Sequence, residues 1–206
     1  MPWISADSGF DYRLLNTGAL EFRDRVGRYQ IVWGCTVQGW HEFWERLDLI
    51  RALLESVLEE NPESTLEQLY LDNPEFQHHC TRCLALNGID LDWVTPRMVT
   101  WLLFPQDVDT KAPLVALNEP YKAQHPPLPG GEALSGRVAF LSALAGLCEG
   151  NLNEALDLAK SMPARDVMAA MESRAWGMAS QDDKDKAVLS QAKKEMAEMR
   201  GVKRNG

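Results

Sequence analysis

The chain has 206 residues, 45% of them hydrophobic and 25% charged, a length that fits one domain with an appendage or two small domains. This composition excludes a disordered, collagenous or low-complexity polypeptide. Thirty acidic residues against 21 basic ones give a formal net charge of −9, which disfavours the phosphate backbone of nucleic acid as a primary partner.

Residues 1–36 carry the weakest helical signal. Leu20 to Val26 alternates imperfectly, Gly27-Arg28 can turn, and Tyr29 to Trp33 is a β-prone run. An arm or a small β-hairpin is expected here. Its apolar side chains, Trp3, Ile4, Phe10, Tyr12, Leu14 and Leu15, follow no clean period. They predict a segment that must dock on its own bundle, on a second copy or on a partner, and whose first 15 residues can be removed without loss of helix. The start of the chain, MPWISADSGFD, has no basic region ahead of an apolar block, so no signal peptide is expected.

From Trp40 the period becomes helical: Trp40, Phe43, Trp44, Leu47, Ile50, Leu54, Val57 and Leu58 recur at three- and four-residue steps up to Asn61-Pro62. Between His41 and Glu75 stand ten acids and two arginines, a face that is either solvated or meets a basic partner. Ser64-Thr65-Leu66-Glu67 reads as a capping box that opens a short helix through Leu71. Asn73-Pro74 caps the next helix, Asn87-Gly88 stops it, and Thr95-Pro96 opens an apolar one reaching Phe104. Pro105 to Gly131 holds six of the eleven prolines and predicts an exposed connection. Beyond it, helices are expected over Ala133–Cys148, over Leu152–Met162, after Pro163, and over Lys186–Arg200.

These readings give a mainly α fold: an N-terminal arm or small β-hairpin (1–36), a helical bundle (37–104), a proline-rich connection (105–131) and a C-terminal helical hairpin region (132–206).

No phosphate-cradling glycine loop, nucleophile elbow or converging acid pair is visible, so neither a catalytic residue nor a cofactor is expected. The four cysteines, without an export signal, read as reduced thiols. His79, Cys80 and Cys83 are the candidate metal ligands, because Cys80 and Cys83 share a helix face and a histidine adjoins them. No second ligand pair follows them, and buried cysteines on an apolar stripe explain the pair equally well. Seven tryptophans are present. Since tryptophan concentrates in interface anchors, Trp3, Phe10, Trp33 and Trp40 are the candidate interaction residues.

Two resemblances extend this reading. Gly150-Asn151-Leu152-Asn153-Glu154-Ala155-Leu156 resembles the phrase that joins the two helices of a tetratricopeptide unit; it occurs once, which supports a helical hairpin and not a repeat array. The series Gly88 to Pro96, Trp101 to Phe104 and Pro113 to Asn118, followed by that hairpin, resembles small helical proteins of the tail and head–tail modules of tailed bacteriophages, tail-assembly chaperones above all, over residues 40–180. The resemblance implies a non-enzymatic protein that binds a tape-measure or other tail protein, or a second copy of itself. It would act in the host cytoplasm during assembly or within the virion, away from nucleic acid and membrane. An N-terminal arm fits a connector component better. A bacterial cytosolic adaptor and a small zinc-stabilised regulator are the alternatives from other classes.

Overall fold

The computed structural model describes residues 3–6, 10–15, 18–24, 26–105, 111–119, 122–129 and 136–202. The protein is mainly α with a small antiparallel sheet at its N-terminus. It forms two compact units, Met1–Pro120 together with Leu156–Arg165, and Tyr121–Ala155 together with Asp166–Gly206.

The first unit opens with a four-stranded meander in the order β1 (Ile4–Ala6), β2 (Phe10–Leu14), β3 (Leu20–Asp24), β4 (Tyr29–Val32). The β3–β4 hairpin turns where the sequence places it. Asp24 Oδ1 accepts the N–H groups of Val26 and Arg28 at 3.0 and 2.8 Å, and Gly27 supplies the positive φ of 86° that the turn requires. The register sets Tyr12 opposite Phe22 and Gln30, and Leu14 opposite Leu20 and Val32. Strand alternation therefore gathers Phe10, Tyr12, Leu14, Leu20, Phe22 and Val32 on one side, where they join the helical core.

That core shows where the N-terminal segment docks and corrects one expectation. Phe10, Leu20, Phe22 and Val32 belong to the same buried cluster as Phe43, Leu47, Ile50, Phe76, Leu84 and Leu102. Of the docking places expected for residues 1–36, its own bundle is thus the one occupied, and the sheet's apolar face is covered by the helices. The proline-rich connection is likewise interrupted. Pro113–Leu117 forms a short helix whose Leu114 and Leu117 are fully buried, so this part of 105–131 is core and not an exposed linker.

The first-unit helices are α1 (Val37–Glu60), α2 (Leu66–Asp72), α3 (Pro74–Leu86), α4 (Pro96–Leu103) and α5 (Pro113–Leu117), with one 3-10 turn at Leu91–Trp93. α1 begins three residues before the first periodic tryptophan and ends at the expected Asn61. α2 is capped one residue later than expected: Thr65 accepts from Gln68 N, and the Gln68 side chain returns to the Thr65 N–H. Asn73 caps α3 by accepting from Glu75 and Phe76, with Pro74 in the first turn, and Thr95-Pro96 repeats the device for α4. Within α4, Met98, Val99, Leu102 and Leu103 are buried as its apolar composition predicts.

The remaining helices are α6 (Gly136–Leu147), α7 (Leu152–Ser161), α8 (Ala164–Met178) and α9 (Gln181–Val202). α6 and α7 are joined through a turn in which Gly150 N donates to Ala145 O at 2.9 Å and Asn151 N to Cys148 O at 2.8 Å. α9 begins five residues earlier than the sequence suggests. The segment after α7 is tied into the first unit, where Val37 N donates to Met162 O and Ala164 N to Cys35 O.

Candidate interaction surface on the N-terminal sheet

The side of the sheet that faces away from the core carries the unusual chemistry. Asp11 and Arg13 of β2, Glu21 and Arg23 of β3, and Tyr29 and Ile31 of β4 alternate with the core residues. The register aligns Asp11, Arg23 and Tyr29 in one row, and Arg13, Glu21 and Ile31 in the next. Arg23 pairs with Asp11 at 3.1 Å, and Arg13 pairs with Glu21, which also accepts the Tyr29 hydroxyl. Trp3 lies across both guanidinium groups, 4.5 Å from Arg13 and 4.3 Å from Arg23, an arrangement in which the ring quadrupole attracts each cation.

Glu21 is buried although it faces outward. The Arg13 guanidinium first, and then the Tyr29 hydroxyl, hold its carboxyl below the usual carboxylate range, while the same carboxylate pushes the Tyr29 phenol up. Arg13, Trp3 and Tyr29 are thereby fixed around one anion. Tyr29, Ile31 and Trp33 nevertheless remain open to solvent, at 53%, 38% and 50% exposure.

Trp33 is positioned from below. The chain leaves β4 through Gly34, whose φ of 89° strains any side chain and where an added Cβ would stand 3.2 Å from Asn118 Oδ1. Asn118 is buried at the end of α5. Its Oδ1 accepts Cys35 N at 2.7 Å, its Nδ2 donates to Asn87 Oδ1 and Leu114 O at 2.8 Å each, and Asn87 Nδ2 donates to Cys83 O. Trp40 Nε1 donates to Asn118 O at 2.9 Å. This network locks the strand exit onto α1, α3 and α5.

The four candidate interaction residues therefore separate. Trp3 and Trp33 lie on the accessible part of the first unit. Phe10 is a correction: it points to the opposite side of β2 and is 2% exposed. Trp40 is half-buried, hydrogen-bonded, and set edge-on against Trp44 at 6.3 Å. It braces the site and is not an open anchor. Arg13, Arg23, Tyr29 and Ile31 were not singled out from sequence. The available signal is the period of two in Asp11-x-Arg13, Glu21-x-Arg23 and Tyr29-x-Ile31-x-Trp33.

His79, Cys80 and Cys83 are all buried on α3. Burial pushes the Cys80 thiol up and the Cys83 thiol up to about 12, so both are protonated at neutral pH. Cys83 Sγ donates to Phe43 O. His79 Nδ1 lies 2.9 Å from Arg46 Nη1. Arginine is a permanent donor, so Nδ1 is the acceptor and the ring proton sits on Nε2. Among the described residues no three His, Cys, Asp or Glu side chains are grouped to hold a metal ion.

Two further apolar features lie in the second unit. A cleft of about 470 Å³ between α6 and α8 is lined by Ala143, Leu147, Met168, Met171, Ala175 and Met178. α9 exposes Val188, Leu189, Met196 and Met199. Among the described residues no helix is long and apolar enough to cross a membrane. No protein-family model, curated protein or solved structure matches this chain.

Proposed function

We propose that the protein is a non-catalytic binding protein that holds a protein partner on the outer side of its N-terminal sheet. The observation that carries this reading is the surface built by Trp3, Tyr29, Ile31 and Trp33 with Arg13 and Arg23. Tryptophan, tyrosine and arginine are the residue types that dominate interface energetics. Here they are pre-ordered by the Glu21 pairs and the Asn118 network, which lowers the entropy cost of binding. The matched charges leave little net field for nucleic acid.

The resemblance of residues 40–180 to the tail modules of tailed bacteriophages supplies the partner. The chain acts during virion assembly in the host cytoplasm, and its partner is the tape-measure protein or another tail component. Co-expression with the tape-measure protein of the same genome tests the proposal. Wild-type chain is expected to co-purify with it, and the double variant Tyr29→Ala/Trp33→Ala is expected to lose the complex while keeping its circular dichroism. Retention of the complex by the double variant, or co-purification only with portal or tail-tube proteins, would overturn it.

A further inference from the structure

α9 is a 22-residue helix that is buried along a narrow line only: Ala187 is 1% exposed, and Asp183, Lys184 and Gln191 beside it are half-buried. At 100° per residue, Leu189, Ala192 and Met196 fall on the opposite side of the helix, with Met199 next to them. Their spacing of three, four and three is that of heptad positions a and d, with Leu189 and Met196 at a, and Ala192 and Met199 at d. Leu189 and Met199 are 60% and 61% exposed, which is the wrong side of the helix for the protein's own core. Val188, also exposed, occupies the flanking g position and widens the apolar strip.

The charges beside this seam select its occupant. Lys193 stands at e and Glu195 at g, and the e position of the following heptad is Arg200. In an antiparallel pair, e faces e and g faces g, so Lys193 would meet Lys193 and Glu195 would meet Glu195. In a parallel pair, g faces the e position five residues on, so each Glu195 faces the position of Arg200 in the other helix, and Lys193 faces the uncharged Val188. Asp182 and Asp185 occupy the a and d positions of the first turn. There Asp182 pairs with Lys186, and Asp185 accepts from Gln181, within the same helix. Two carboxylates in the seam end it on the N-terminal side, so the contact begins at Leu189.

We infer that α9 is a self-association element that pairs in parallel with α9 of a second copy through Leu189, Ala192, Met196 and Met199. The pairing is isologous and closes at two chains. With only two heptads the pair is weak and dissociates on dilution. It uses a surface separate from the sheet and stands or falls independently of the partner-binding reading.

Disulfide trapping of the full chain tests this, because only a parallel pair brings identical a or d positions face to face. The native cysteines are all buried, so oxidised wild type sets the baseline. Ala192→Cys and Met196→Cys are expected to form covalent dimers with about tenfold greater yield than Gln191→Cys on the packed side. The double variant Leu189→Lys/Met196→Lys changes only exposed side chains. It is expected to remain folded by circular dichroism and to stay monomeric by light scattering at concentrations where wild type associates. Equal trapping at position 191, trapping only when Leu189→Cys and Met199→Cys chains are mixed, or a wild type monomeric at every concentration would overturn the inference.

Discussion

Asn118 is a buried polar residue that ties three segments of the first unit together. One buried amide serves Cys35 N–H, Leu114 O and Asn87, and through Asn87 it steadies the last turn of α3. Asn118→Ala strands those partners without water, and buried unsatisfied groups cost about 1–3 kcal/mol each before relaxation. We expect a loss of about 2–4 kcal/mol in urea unfolding. Asn73→Ala, which removes only the α3 cap, is expected to cost about 1 kcal/mol.

His79 gives the fold a pH dependence whose sign follows from its neutral form. Burial first, then the cation of Arg46 and the adjacent His78, lower its pKa, against a weaker opposing effect of Glu75. The unfolded chain therefore takes up a proton at a higher pH than the folded one. Stability is full above the unfolded value of about 6.5 and falls as the pH drops below it. His79→Gln keeps an acceptor for Arg46 without a titrating proton and is expected to flatten that slope. An unchanged slope would place the titration elsewhere.

At the scale of elements, what could be read in the sequence was what depends on near neighbours. Asn73-Pro74, Thr95-Pro96 and Asn87-Gly88 mark real helix ends because caps and stops act over three or four residues. The helical period of α1 was visible for the same reason. The sheet was only half visible. A hairpin turn is local, but the pairing of β2 with β3, and the decision that Phe10 faces the core while Arg13 faces out, depend on register. α5 was hidden by its prolines, since nothing in Pro113 to Leu117 announces that Leu114 and Leu117 reach the core. Trp3 and Trp33 stood out by residue type. The arginines and Tyr29 beside them did not, because their meaning lies across strands.

The packing of the sheet on the helices sets the expected outcome of truncation. Deleting residues 1–15 removes β1 and β2 and uncovers Leu20 and Phe22, both fully buried. Helical circular dichroism of the first unit is expected to fall with the deletion, and Phe22→Ala alone is expected to cost about 3–5 kcal/mol. A truncated chain with full helical content would return residues 1–15 to the status of a detachable arm.

For the whole molecule, charge and apolar exposure are distributed by unit. The acidic stretch from His41 to Glu75 lies on α1–α3 of the first unit, where Glu42 is held by Arg82 at 2.7 Å and by Arg46. The exposed aromatic surface belongs to the sheet of that same unit. The methionine-lined cleft and the α9 seam belong to the second.

The central claim is that the outer side of the sheet binds the partner, and calorimetric titration of single alanine variants against the purified tape-measure protein measures it directly. Trp33→Ala removes a half-exposed side chain, so folding stability should change by less than about 0.5 kcal/mol, whereas Tyr29→Ala also takes a hydrogen bond from the buried Glu21 carboxylate and should cost about 1–3 kcal/mol without loss of the fold. Their dissociation constants should rise about tenfold or more, which corresponds to at least about 1.4 kcal/mol. Leu49→Ala, an exposed apolar change on α1, should leave binding unchanged. Equal affinities for wild type, Trp33→Ala and Tyr29→Ala would contradict the account.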